Sequence, residues 1–140
     1  MLPNDSNPLG FMLGGSVMHL IDITGAIACH RHTNTLALTA AVDGLEFLHP
    51  IRIGDIVILK SRVTATFRTS LEVEVEVFSE QIPSGVRRRT SRAYLTFVAI
   101  DREGRPQPVP PLRLETPEDE TRSREAHARR AARLASRAPR

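Results

Sequence analysis

The sequence predicts an α+β domain: one long buried helix lying on the apolar face of an antiparallel sheet of about five strands. Three observations carry this. Val17, Leu20, Ile21, Thr24, Ile27 and Ala28 recur at i, i+3, i+4 and i+7, the period of an amphipathic helix. After Thr35 the period drops to two, most clearly where Leu71, Val73, Val75 and Val77 alternate with Glu72, Glu74 and Glu76. The segments with this period are joined by short stretches of turn chemistry. At 140 residues the chain is the size of one domain.

Pro3, Asn4, Asp5, Asn7, Pro8 and Gly10 make the opening a loop. Gly14-Gly15 then opens the helix, with Ser16 as the expected N-cap. The second helical face, Met18, Asp22, Gly25, Ala26 and Cys29, is small and mostly apolar, so the helix is expected to be covered nearly all round. Gly25 marks close packing against another backbone, because an interior helix glycine costs up to about 1 kcal/mol against alanine. His30, Arg31 and His32 suit the negative end of the helix dipole.

Thr35–Val42 and Leu45–Pro50 read as two short strands, Asp55–Phe67 as a long one after a turn at Gly54, and Leu71–Glu80 as its neighbour. The last strand is Arg88–Asp101, closed by a turn containing Gly104. Lys60, Arg62, Arg88 and Arg92 are expected on the glutamate face, where cross-strand pairs contribute roughly 0.2–1 kcal/mol each. One sheet cannot cover every side of such a helix, and long strands leave edges unpaired. Two subunits joined edge to edge around two helices would solve both problems.

Residues 113–140 change character: arginine is frequent and the apolar residues are mostly alanine. Thr116 as N-cap, Pro117 at N1 and the following acids start a second helix. With few large apolar side chains it is expected to be a peripheral, loosely docked tail. The division is therefore a domain over 1–112 and a tail over 113–140.

Composition narrows the function. Hydrophobic residues at 41% and charged residues at 25% are ordinary for a globular protein, while aromatics at 4% and no tryptophan leave the core to Leu, Ile and Val. Net charge is +3. A single cysteine, Cys29, excludes an intrachain disulfide and is compatible with a reducing compartment. The first ten residues show no secretion signal, and no apolar run reaches the ~18 residues that cross a bilayer. The expected setting is cytoplasmic, without a membrane partner. The tail's arginines raise nucleic-acid binding as a reading. The absence of interleaved aromatics and the presence of Glu118, Asp119, Glu120 and Glu125 argue against it.

Asp22 is the residue that demands explanation. It is a carboxylate in mid-helix among Val17, Leu20, Ile21, Ile23, Ala26 and Ile27, where aspartate has poor propensity and no capping use. Burying a charge is costly without a partner, and an apolar pocket raises a carboxylate toward neutrality, as a general base requires. A structural hydrogen bond is the plainer alternative. Gly14 and Gly15 form a second element. Free N–H groups at a helix start can hold a carbonyl oxygen as charge develops on it, although a simple turn would use the same residues. His19, His30, His32, His49 and His127 show no ligand spacing, and Cys29 reads as a core residue.

The segments "PNDSNPLGFMLGG", "HLIDITGAIA", "VDGLEFLHPIRIGD", "TSLEVEVEV" and "RAYLTFVAIDREGRP" together resemble the hotdog-fold acyl-CoA thioesterases, over roughly Pro3 to Leu112. The resemblance implies a hotdog dimer, assembled into a hexamer as a trimer of dimers, that hydrolyses acyl-CoA with coenzyme A as part of the substrate and no cofactor or metal. It places the catalytic aspartate at Asp22. There it would activate a water against the thioester carbonyl or attack directly through an anhydride, with Gly14 and Gly15 as the oxyanion site. By position it offers Arg68, Thr69, Ser70 and Arg92 as substrate-binding residues, and each of the two arginines could equally serve a surface salt bridge. The chain departs from many relatives at Phe11, where an Asn or Asp is usual, and at Leu13. Phe11 also lines the expected substrate site. The missing polar group favours a competing reading, an acyl-CoA-binding module with weak or no catalysis.

Overall fold

A computed structural model describes residues 6–137. Helix α1 spans Gly14–Thr33; strands β1 Leu36–Phe47, β2 Ile56–Thr66, β3 Ser70–Glu80 and β4 Arg87–Ile100 follow; helix α2 closes the chain at Pro117–Ala135. The strands form one antiparallel sheet in the order β1-β4-β3-β2. There are four strands rather than about five, because the two short segments after the helix are one strand. It is broken by irregularities at Thr39/Ala41 and Asp43/Glu46, where Gly44 adopts φ +58°.

The helix lies across all four strands. Its sheet-facing stripe is Val17, Ile21, Gly25, Cys29 and Thr33, one residue per turn. This stripe takes members from both faces read from the sequence. Gly25 is required by contact: a Cβ there would stand 3.0 Å from the Phe97 ring. Beneath it Leu71, Val73, Val75, Val77, Leu95 and Phe97 are buried, each side chain worth about 1.5–3 kcal/mol. Burial in this core pushes the Cys29 thiol up from its ordinary pKa, so Cys29 behaves as a core residue. Within one chain the helix is not covered all round: Ile23 and Ile27 remain exposed at 44% and 47%.

The helix also begins three residues earlier than Ser16 as N-cap would give. Leu13 is its N-cap and no side chain caps it. Asn34 ends it in a left-handed turn at φ 57°.

The alternation on β3 holds, with the valines inward and the glutamates outward, and Arg62 pairs with Glu74 at 3.5 Å. On β4 the arginines are rearranged. Thr90 is an extra residue between the pairs Val77↔Ser91 and Phe78↔Arg89. This bulge reverses which side chains face outward beyond it. Arg89 and Arg87 therefore take Glu76 and Glu80, both at 3.1 Å, and Arg88 turns to the inner face opposite Ser79. Arg88 does not join the glutamate row.

Helix α2 starts as expected, with Thr116 and Asp119 in a reciprocal capping box and Pro117 after it. Its docking is closer than its composition suggested. Glu72, 2% exposed, receives both Nε and Nη2 of Arg129 at 3.0 and 2.8 Å, and the Thr64 hydroxyl at 2.6 Å. Arg129 stacks 3.6 Å above the Tyr94 ring, Arg133 pairs with Asp43, and Phe67 holds both Arg130 and His127. The long arms of arginine reach where alanine cannot.

Candidate functional site

Asp22 projects from the middle of α1 beside β1, half-buried. The Thr39 hydroxyl donates to its Oδ1 at 2.6 Å, a charge-assisted bond that fixes the carboxylate against the first irregularity of β1. Thr39 had no signal in the sequence, because its meeting with Asp22 depends on how helix and strand are registered. β1 is a sheet edge, and on Asp22's side of it the exposed apolar side chains are Ile23 and Ile27 on the helix with Val42 on the strand; Leu36 and Leu38, opposite Ile100 and Val98, are exposed on the outer face. Leu36 is 63% exposed and Leu38 57%.

The N-terminus of α1 forms the second element. The first turn of a helix leaves amide donors without intrahelical acceptors. Those of Gly14, Gly15 and Ser16 have no acceptor among the described residues, and all three precede the first helical bond, Val17 N–H to Leu13. Gly14 opens onto an apolar cleft of ≈ 340 Å³ lined by Phe11, Met12, Phe47, Leu48 and Pro50 among others. The loop before it is ordered by Asn7, whose Oδ1 accepts the N–H groups of Leu9 and Phe11 at 3.0 and 3.2 Å. In the sequence Asn7 signals only loop chemistry; Pro3, Asn4 and Asp5 lie outside the described residues.

The remaining candidates are placed elsewhere. Ser70 precedes the inward Leu71 on β3 and so shares the outer face with Glu72. Arg92 is also on that face, opposite Glu76 and 4.0 Å from Glu46, with its buried Nε unpartnered. Arg68 and Thr69 form the β2–β3 turn, where their carbonyls accept from Val109 and Ala99. Asp22 lies over the inner face, so Ser70 and Arg92 do not meet it within one protomer. Among the described residues no group of three His, Cys, Asp or Glu side chains could hold a metal ion, and no helix is long and apolar enough to cross a membrane. Three tail arginines, Arg129, Arg130 and Arg133, are committed to contacts within the chain.

Comparison with known proteins gives these observations a family. Residues 9–86 match the profile of the thioesterase superfamily. A Bacillus subtilis protein named as an uncharacterized acyl-CoA thioester hydrolase is 39% identical over 119 residues, covering 85% of this chain and 69% of the relative. The mouse cytosolic acyl coenzyme A thioester hydrolase is 36% identical over 91% of this chain, which spans only 34% of that longer protein. Among solved structures, a hexameric acyl-CoA thioesterase superposes with TM-score 0.94 at 38% identity, covering 100% of this chain and 90% of the other. The acyl-CoA hydrolase of Staphylococcus aureus, solved with butyryl coenzyme A and coenzyme A, superposes with TM-score 0.85 at 31% identity, covering 97% and 85%. The chain belongs to the thioesterase superfamily and has its hotdog fold, the long helix held in an antiparallel sheet.

Proposed function

We propose that this chain hydrolyses acyl-CoA thioesters to coenzyme A and a free carboxylic acid, with Asp22 as general base. The observation that carries the reading is the Asp22–Thr39 hydrogen bond beside an uncovered apolar edge. Asp22 takes a proton from a water as its oxygen bonds to the thioester carbonyl carbon. The oxyanion that forms is held by the free N–H groups of Gly14 and Gly15, where one such donor typically contributes ~10²–10³ in rate. The intermediate collapses with loss of the C–S bond, and the thiolate takes up a proton. No cofactor enters this scheme.

The S. aureus hydrolase supports the choice of residues. It has been studied with alanine replacing an asparagine, an aspartate and a threonine spaced 15 and 17 positions apart. In this chain the same three residue types stand at the same spacing: Asn7, Asp22 and Thr39. Asn7 supplies a carboxamide in the loop beside Phe11, its Oδ1 accepting the Phe11 N–H at 3.2 Å.

The geometry of α1 also calls for a second copy. Eight residues separate Gly14 from Asp22, about 12 Å along a helix. One thioester carbonyl with its attacking water cannot bridge that distance, so Asp22 of one protomer would work with Gly14 and Gly15 of another. Joining β1 edges would bring two copies together and cover Ile23 and Ile27. We therefore read the functional unit as a homodimer, further assembled as a trimer of dimers, in keeping with the hexameric relative. A cytoplasmic setting agrees with the relative named cytosolic.

A thiol-release assay on the assembled protein, run across acyl-CoA chain lengths, tests the proposal. Turnover of at least one acyl-CoA by a dimer or larger species is expected. Phe11 favours a second reading, an acyl-CoA-binding module, and tight acyl-CoA binding without thiol release would establish that instead.

A further inference from the structure

The two edges of the sheet carry opposite charges and treat them differently. β2, one edge, directs Lys60 and Arg62 to the outer face, in register with Glu76 and Glu74. Arg62 pairs with Glu74, but Lys60 makes no ion pair among the described residues and lies 5.2 Å from the Phe78 ring centroid. β1, the other edge, has Asp43 and Glu46 as its only charged residues, on the same face and in register with Tyr94 and Arg92. Each of these carboxylates has an arginine. Glu46 lies 4.0 Å from Arg92, and Asp43 pairs with Arg133 of α2, 90 residues further along the chain. A charge in the middle of an edge strand is a device that keeps one sheet from joining another. On β2 the device stays in force. On β1 it is cancelled, and for Asp43 the cancelling charge comes from outside the sheet.

Asp43 also stands at a particular place on that edge. Asp22 meets Thr39, and the Phe47 ring comes 3.8 Å from where a Gly14 Cβ would stand, so α1 runs antiparallel to β1. In the homodimer read above, Asp22 of each copy works with Gly14 and Gly15 of the other. A two-fold axis then passes midway between those points, because each copy makes the contact the other makes. On β1 the midpoint between Thr39 and Phe47 falls at Val42–Gly44, and the two Asp43 carboxylates become neighbours across the seam. Facing positions on joined antiparallel strands hold their Cβ atoms about 4.5–8 Å apart, and like charges there are destabilising. Arg129 cannot serve as the counter-charge, since both of its bonding nitrogens are taken by Glu72.

We infer that Arg133 makes the β1 edge competent to join a second copy of this chain: by neutralising Asp43 at the seam, docked α2 permits the dimer to form. This rests on the homodimer reading above and adds a condition to it. A chain whose α2 is undocked presents a bare carboxylate on its joining edge and pairs poorly. Arg133 lies on the outer face of the sheet, away from Asp22 and Gly14, so it acts on assembly and touches no reacting group.

The test is sedimentation velocity on a dilution series of the full chain, for wild type, Arg133→Gln, Arg133→Lys and the double variant Asp43→Asn/Arg133→Gln. Arg133→Gln should raise the dimer dissociation constant by about tenfold or more, because it leaves like charges facing each other across an interface. Arg133→Lys keeps the charge, and the double variant removes the repulsion, so both should stay within about threefold of the wild type. The double variant is the discriminating case. It loses the same α2 contact as Arg133→Gln, so a residue that only docked its own helix would leave the two alike. Arg133 and Asp43 lie outside the buried core, and all the variants are expected to fold. If the wild type releases no monomer on dilution, subunit exchange between two labelled preparations reads the same difference, about tenfold faster for Arg133→Gln. Arg133→Gln equal to the wild type, or the double variant as weak as Arg133→Gln, overturns the inference and leaves the homodimer reading standing. A wild type that is monomeric at every concentration removes that reading and the inference with it.

Discussion

The sheet carries a helix on each face, and the two are attached by different forces. On the inner face α1 sits on Leu71, Val73, Val75, Val77, Leu95 and Phe97, all buried, with Gly25 letting the backbone close on the Phe97 ring. On the outer face α2 buries only Ala126 and reaches the strands through arginines: Arg129 to Glu72 and Tyr94, Arg133 to Asp43, Arg130 to Phe67. Apolar burial depends on area and tolerates no holes. A buried ion pair must first offset the desolvation of both charges, so it specifies where the helix lies more than it adds to stability. Burial pulls the Arg129 guanidinium down, yet the Glu72 carboxylate outweighs this and holds it above its ordinary pKa. Burial and the charge of Glu74 push the Tyr94 hydroxyl up. The inner face should therefore fail globally and the outer face locally.

The largest effect expected is on the inner face. Phe97→Ala should cost about 3–5 kcal/mol, read from chemical denaturation, because it opens a cavity beneath Gly25. A loss below about 1 kcal/mol would mean that the α1 contact is not the stabilising core. On the outer face Glu72→Ala should cost about 1–3 kcal/mol by leaving the Arg129 charge without its carboxylate. Hydrogen exchange should then rise along α2 while β3 and β4 stay protected. Replacing both partners, Glu72→Leu with Arg129→Leu, should restore most of that loss, which no truncation of the inner core could do. Equal global unfolding by both single changes would erase the contrast between the faces.

The smallest effect is set by pH. Asp119 accepts N–H bonds from Glu115 and Thr116, which hold its pKa below the ordinary 3.8. A lowered folded pKa gives stability that is present above 3.8 and fades as pH falls through the folded value. On acidification below 3.8 the amides of Glu115 and Thr116 should lose protection before those of β3 do. Asp119→Asn should remove that difference.

Sequence patterning was most legible where one residue type repeats along one element. The valine–glutamate alternation gave β3 and its faces, and Thr116-Pro117 gave the start of α2. The rest depended on contacts between elements. A single extra residue, Thr90, reversed the face of Arg88, and no composition signal marks a bulge. The docking of α2 was hidden because its apolar content is low and its contacts are ionic and cation–π. Asp22 stood out as a charge among apolar neighbours. Thr39, a threonine in a strand seventeen positions later, became visible only once helix and strand were side by side.

Asp22→Asn tests the proposed chemistry most directly, because the amide keeps the size of the side chain and can still meet Thr39. The variant should assemble like the wild type by sedimentation, and its thiol release from acyl-CoA should fall by at least ~10²-fold, the scale of general-base catalysis. Undiminished hydrolysis by the folded, assembled variant would contradict the assignment of Asp22 as the base.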